Sequence, residues 1–217
     1  IVRDFAAVPL DGIPRPKVGI VGEILLKYHP DANNHVLRGI MEEGGEPVAT
    51  DLTDFFLYCF QDPIYSWRHL GGRFLPALSG WLVIRRVESL RRHMRQALKG
   101  SPFTPPASID ELARSVTGIV SRGNQAGEGW LLTAEMLEFI DHGVNNVLCL
   151  QPFGCLPNHI TGKGVMKELR RLRPKANLMA VDYDPGSSLA NQLNRVKLFM
   201  SVAHSRLQEE LDQRRGQ

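Results

Sequence analysis

Four short apolar runs set what this chain can fold into. They are Lys17-Val-Gly-Ile-Val-Gly-Glu23, Glu46-Pro-Val-Ala-Thr50, Asn146-Val-Leu-Cys-Leu-Gln151 and Asn177-Leu-Met-Ala-Val-Asp182, and each closes on a polar residue. Runs this short, apolar without strict alternation, read as strands buried on both faces, which is the habit of parallel sheets. Pro47 cannot donate to a ladder, so it belongs at the second strand's first turn or on an edge. Between the first two runs, Asp31-Ala-Asn33-Asn34 offers helix N-cap chemistry. Val36, Leu37, Ile40 and Met41 then make one apolar face, and Gly44-Gly45 ends it. After the last run a long helix with a seam from Leu189 to Leu211 is expected. The fold predicted is α/β: a Rossmann-like parallel four-stranded sheet with helices on both faces.

The 217 residues read as a single α/β domain with two departures from a plain doubly wound pattern. Residues 1–16, with Pro9, Pro14 and Pro16, read as an extended lead-in. Residues from about 53 to 142 read as a helical insertion between the two βαβ halves. Asp51 or Thr53 can cap its first helix, and Ser108-Ile-Asp-Glu111 is a capping box. Breaks are expected near Gly71-Gly72, Pro76 and Gly80. Val83, Val87, Leu90 and Met94 form one helical face, and Arg85, Arg86, Arg91, Arg92 and Arg95 the other. That basic face reads as solvated, or as a dock for a partner or a CoA phosphate. It has no interleaved aromatics, which argues against nucleic acid, as does a net charge of only +3. Three cysteines do not make a secreted disulfide framework and fit a reducing, cytoplasmic setting. No run is long enough for a membrane span. The chain opens on Ile1 rather than methionine and reads as a piece of a longer protein.

In open parallel sheets, ligands collect at the carboxyl ends of the strands. Here those ends carry Gly22-Glu23, Asp51, Gln151 to Cys155 and Asp182 to Asp184. Glu23 places a carboxylate toward the crevice. Cys155, after Gly154 and before a helix, fits a nucleophile or a ligand to a soft metal. It fits equally a small buried hydrophobe. Cys149 and Cys59 read as core. His159, beside Asn158, fits a base, a ligand or an ordinary first-turn residue. Gly162-Lys163-Gly164 reads as a helix start that presents a lysine and free N–H groups to an anion, or as a plain turn. Asp182 and Asp184 fit ligand binding less well than turn chemistry around Asp184-Pro185-Gly186. Neither G-x-G-x-x-G nor a Walker loop is present.

Several stretches carry a resemblance. They are Arg15-Pro-Lys-Val-Gly-Ile-Val-Gly-Glu-Ile24, Asp51-Leu-Thr-Asp-Phe-Phe56, Gly127-Glu-Gly129, Leu150-Gln-Pro-Phe-Gly-Cys-Leu-Pro-Asn-His-Ile160, and Val181-Asp-Tyr-Asp-Pro-Gly-Ser187 with Asn191-Gln-Leu-Asn-Arg195. Together they resemble the domain found in long proteins described as CoA-substrate-specific enzyme activases. The layout is also similar to the second domain of 2-hydroxyacyl-CoA dehydratase and benzoyl-CoA reductase subunits. The resemblance implies an iron–sulfur, radical-type system in which an ATP-driven activase delivers an electron to a [4Fe–4S] cluster beside an acyl-CoA. It implies Cys155 as a cluster ligand. It also implies Glu23, Asn158, His159, Lys163, Asp182, Gln192 and Arg195 around the cofactor or substrate. The other cysteine ligands would lie outside this chain, so the isolated chain is expected to hold no cluster and to be inactive alone. Two other roles stay open: a non-catalytic docking or regulatory module of the activase, and a domain that binds CoA or another anion.

Overall fold

The computed structural model of the chain describes residues 1–184, 186 and 188–216. Its elements, in chain order, are α1 (Val2–Ala6), β1 (Lys17–Gly22), α2 (Ile24–Tyr28), α3 (Val36–Glu42), β2 (Glu46–Ala49), α4 (Leu52–His69), α5 (Phe74–Leu98), α6 (Ile109–Ser115), α7 (Gly129–Asp141), β3 (Asn146–Pro152), a π-helical segment (Asn158–Lys163), α8 (Met166–Leu172), β4 (Asn177–Tyr183) and α9 (Leu189–Arg215). They fall into two compact units. Residues 14–50 and 116–217 make a sheet unit, and residues 1–13 and 51–115 make a helical unit.

In the sheet unit four strands lie parallel, as the apolar runs predict, in the order β2-β1-β3-β4. Pro47 sits on edge strand β2 opposite Val18. Alternate residues serve opposite faces. Val18, Ile20, Leu148, Leu150, Val181 and Tyr183 pack with Ile40 of α3 and with Val196, Phe199 and Met200 of α9. On the other face a side chain at Gly19 would strike the Phe139 ring of α7 at 2.6 Å, so glycine there lets helix and strand close up. Gly22 ends β1 at φ +137°, where a Cβ would run into the Leu150 carbonyl. That turn delivers Glu23 to cap α2.

Local departures from the sequence reading have clear causes. Residues 2–6 coil into one short helix rather than an extended lead-in. The N-cap position of α3 is His35, and Asn33 Oδ1 supplies the capping acceptor for the Val36 N–H. α7 begins at Gly129 and belongs to the sheet unit. Pro185 and Ser187, part of the turn and helix start expected after β4, lie outside the described residues.

In the helical unit, Asp51 caps α4 through the Thr53 N–H. The chain breaks at 70–73 as Gly71-Gly72 suggest, but α5 runs unbroken through Pro76 and Gly80. Pro76 lies in the first turn, where its missing N–H costs nothing. Gly80 is there for packing, since a Cβ would sit 2.6 Å from the Phe60 carbonyl oxygen of α4. The Ser108–Glu111 capping box forms in both directions, and the Ser108 hydroxyl and N–H hold the Glu111 carboxyl below its ordinary range. The basic face of α5 is not wholly solvated. Arg91 is buried, 2.8 Å from Asp54 and 3.1 Å from Glu88, because Asp54 and Glu88 turn inward and need a cation. Arg95 pairs with Glu88 at 2.7 Å, whereas Arg85, Arg86 and Arg92 are exposed.

No helix among the described residues is long and apolar enough to cross a membrane.

Candidate functional site

The carboxyl ends of β1, β3 and β4 carry a polar layer that begins inside the protein and reaches the surface at Cys155. Its deepest part is an ion pair. Lys27 Nζ lies 2.8 Å from Glu135 Oε1 and donates to Thr50 Oγ1, with both charged side chains almost fully buried. Burial works against the ammonium, but the Glu135 carboxylate and Tyr28 outweigh it and raise the Lys27 pKa. A second carboxylate, Glu128, accepts the Ile24 N–H at one oxygen and Asn158 Nδ2 at the other. Asn158 is fully buried and also donates to Cys155 Sγ at 3.1 Å. Glu128 thus ties β1's exit to the loop that carries the cysteine.

Cys155 follows the tight turn Phe153-Gly154, where Gly154 takes φ +75°. Its thiol is partly exposed, between the exposed side chains of Phe153 and Leu156. The helix it introduces is wide: six residues, Asn158 to Lys163, wind as π-helix before α8. Gly162 packs a bare backbone against Leu132 and the Cys149 sulfur, where a Cβ would come within 3.1 Å of both. Lys163 closes the π-helical segment, the Gly164 N–H is given to the His159 carbonyl, and Gly164 and Val165 turn the chain into α8 at Met166. Gly162 marks close packing, and Gly164 stands in the turn expected before the helix.

The second cluster centres on Asp182, at the end of β4. Gln151 Nε2 donates to Asp182 Oδ1 at 2.5 Å, and the Gln151 Oε1 atom, sealed from solvent, has no hydrogen-bond partner among the described residues. His159 Nδ1 donates to the Cys155 carbonyl at 2.9 Å, which leaves Nε2 to accept from Gln151 Nε2 at 3.4 Å. His159 Nε2 and Lys163 Nζ each lie 3.9 Å from an Asp182 oxygen. The structure brings Asn158, His159, Lys163, Asp182 and Cys155 together.

It places the other candidates differently. Glu23 accepts the Leu26 N–H as the cap of α2. Gln192 donates to the Asp182 carbonyl and accepts from Asn34, and Arg195 donates to the Ala180 carbonyl. Both pin α9 to β4. Gln151 stood in the strand-end loop that the pattern pointed to, but Glu128, Lys27 and Glu135 were not singled out by pattern as site residues. An acid flanked by glycines ahead of an apolar helix was the one visible hint of Glu128.

The three thiols differ sharply. Cys149 is fully buried in β3. Burial, with Glu135, Glu128 and Asp182 nearby, pushes its thiol up to about 12. Cys59 is exposed on α4, in the helical unit. Among the described residues no three His, Cys, Asp or Glu side chains converge on a metal position. Cys155 is the partly exposed thiol of the sheet unit.

Two hollows bear on ligand access. One, of about 180 Å³, lies beside the cysteine loop and is lined in part by Gln125, Leu156, Pro157 and Ile160. A larger one, about 440 Å³, opens at the amino ends of β1 and β3, between Arg15, Lys17, Lys175 and Arg206. The site is assigned to the carboxyl ends, where the thiol, imidazole and carboxylates converge; the larger hollow has no such set.

Fold and site together define a Rossmann-like α/β unit with a crevice of polar and sulfur-bearing groups at its strand ends. Comparison with protein-family models, with curated proteins and with solved structures finds no match.

Proposed function

We propose that this chain is one lobe of an iron–sulfur, radical-type 2-hydroxyacyl-CoA dehydratase, reductase or activase system. In this reading Cys155 supplies a single thiolate to a [4Fe–4S] cluster completed by cysteines from another polypeptide segment. The observation that carries it is the placement of Cys155: a partly exposed sulfur at a strand end, accepting a hydrogen bond from fully buried Asn158. Donors to ligand sulfurs are one of the means by which proteins tune such clusters. When bound, the cluster would supply one-electron transfer. This chain's own residues would fix the ligand: Glu128 orients Asn158, and His159 holds the Cys155 carbonyl. Lys163 and Asp182 border the same crevice and suit an acyl-CoA or its thioester head. The ATP-binding activase region is the partner this reading requires. The resemblance in the 150–160 and 181–195 stretches supports it as well.

The test is anaerobic reconstitution with iron and sulfide in the natural polypeptide context. Cys155→Ala should lower bound iron and the cluster absorption, while Cys149→Ala keeps both. Equal iron in wild type and Cys155→Ala would remove the ligand role.

A further inference from the structure

We propose that the α4–α5 hairpin is a docking surface for an acidic, amphipathic helix of a partner protein. α4 has two apolar faces. Leu57 and Tyr58 are buried on one. On the other, Leu52, Phe56, Phe60 and Trp67 are all exposed. Their spacing of four, four and seven residues confines them to an arc of about 80° at 100° per residue. α5 repeats the arrangement: Ala77, Gly80 and Ile84 are buried, and Phe74, Leu78 and Trp81 are exposed on another side. The α4 stripe is narrow enough for one helix to cover, and α5 extends the apolar surface with exposed Leu75, Leu82, Leu90 and Met94.

The charge around the seam chooses the partner. Between residues 52 and 94 the acids are Asp54, Asp62 and Glu88, and none is exposed. Asp54 and Glu88 turn inward to Arg91, and Asp62 is half-buried. Over the same span Arg68, Arg73, Arg85, Arg86 and Arg92 are all exposed. Arg85 lies over the Trp81 ring at 5.1 Å, so one basic group already stands beside the apolar stripe. A second copy of this hairpin would bring arginine to arginine. A helix with leucines on one face and glutamates beside them meets both features.

The experiment uses the full chain and two designed, fluorescently labelled helices of about 20 residues, long enough to form helix when isolated. They share one leucine seam and differ only in flanking Glu or Lys. The expected result is binding of the Glu helix at least about tenfold tighter than the Lys helix, weakened by salt. Phe56→Ser with Phe60→Ser, and separately Arg85→Glu with Arg86→Glu, should each lower affinity about tenfold while circular dichroism and melting stay unchanged. Equal affinity for the two helices, no loss in the variants, or no binding of either helix would overturn the proposal. So would a concentration-dependent dimer abolished by the Phe56 and Phe60 changes. Preferential binding to phosphatidylcholine–phosphatidylglycerol vesicles would overturn it in favour of a lipid surface.

Discussion

Both units bury an ion pair, but they differ in what they leave outside. The sheet unit keeps one ion pair, Lys27–Glu135, beneath a crevice whose outer groups are also polar, and its apolar residues are largely inside. The helical unit holds Arg91, Asp54 and Glu88 inside and exposes phenylalanine, tryptophan and leucine on both long helices. A buried ion pair is weak evidence for stability, because desolvation offsets much of the attraction. In the sheet unit the pair lies under the strand ends, where a polar floor has a use. In the helical unit the pattern leaves a surface that is apolar and basic at once.

The comparison can be broken or sharpened by experiment. The largest effect is expected in the sheet unit. Glu135→Ala strands the Lys27 ammonium and should cost about 3–5 kcal/mol in urea unfolding, with Lys27→Met plus Glu135→Leu recovering most of it. Arg91→Ala should cost about 3 kcal/mol by the same route, since Asp54 is left buried without its cation. If it costs much less, the helical unit's interior is wetter than its burial implies. Lys27 also predicts a pH dependence. Its folded pKa is raised above the ordinary 10.5, so its contribution is complete below that value. The contribution is lost as pH climbs through the raised one. Urea midpoints from pH 7 upward should show this in wild type and not in Lys27→Met.

Smaller effects follow. Gly80→Ala should cost about 1–3 kcal/mol, because the new methyl meets Phe60 backbone that cannot swing aside. Burial raises the Asp62 carboxyl to about 6. Folding therefore favours its protonated form, and stability falls as pH rises from the unfolded value through about 6. Asp62→Asn should stabilise at pH 7 by on the order of 1 kcal/mol, after allowance for solvent screening of a half-exposed group, and do nothing at pH 3. Native alkylation should mark Cys155 and Cys59 and spare Cys149 until the protein is unfolded.

β1, β3 and β4 were legible because a parallel strand covered on both faces leaves a short apolar run that little else produces, whereas edge strand β2 is at most half-buried. The ion-pair layer was not, since Lys27 and Glu135 are 108 residues apart and neither stands in an unusual local pattern. Cys155 and its neighbours were visible as strand-end chemistry, but the conformation after them was not. Gly162 read as a helix-start or turn residue, and only its packing against Leu132 and Cys149 explains it as part of the π-helical segment. Arg91 looked like its neighbours Arg92 and Arg86. Which arginine turns inward depends on where Asp54 and Glu88 lie in space, and a list of charges along one helix does not hold that information.

The wide turn at Asn158–Lys163 has a consequence for how this loop tolerates changes in length. A π turn carries one residue more than an α turn. Deleting a single residue there would let the helix close with ordinary bonds and would rotate everything before the deletion by about 100° relative to α8. Asn158, carrying Cys155 with it, would then leave Glu128, although both residues were still in the chain. The spare residue sets the phase between the cysteine loop and the sheet, so insertions and deletions at this point should be far less tolerated than substitutions.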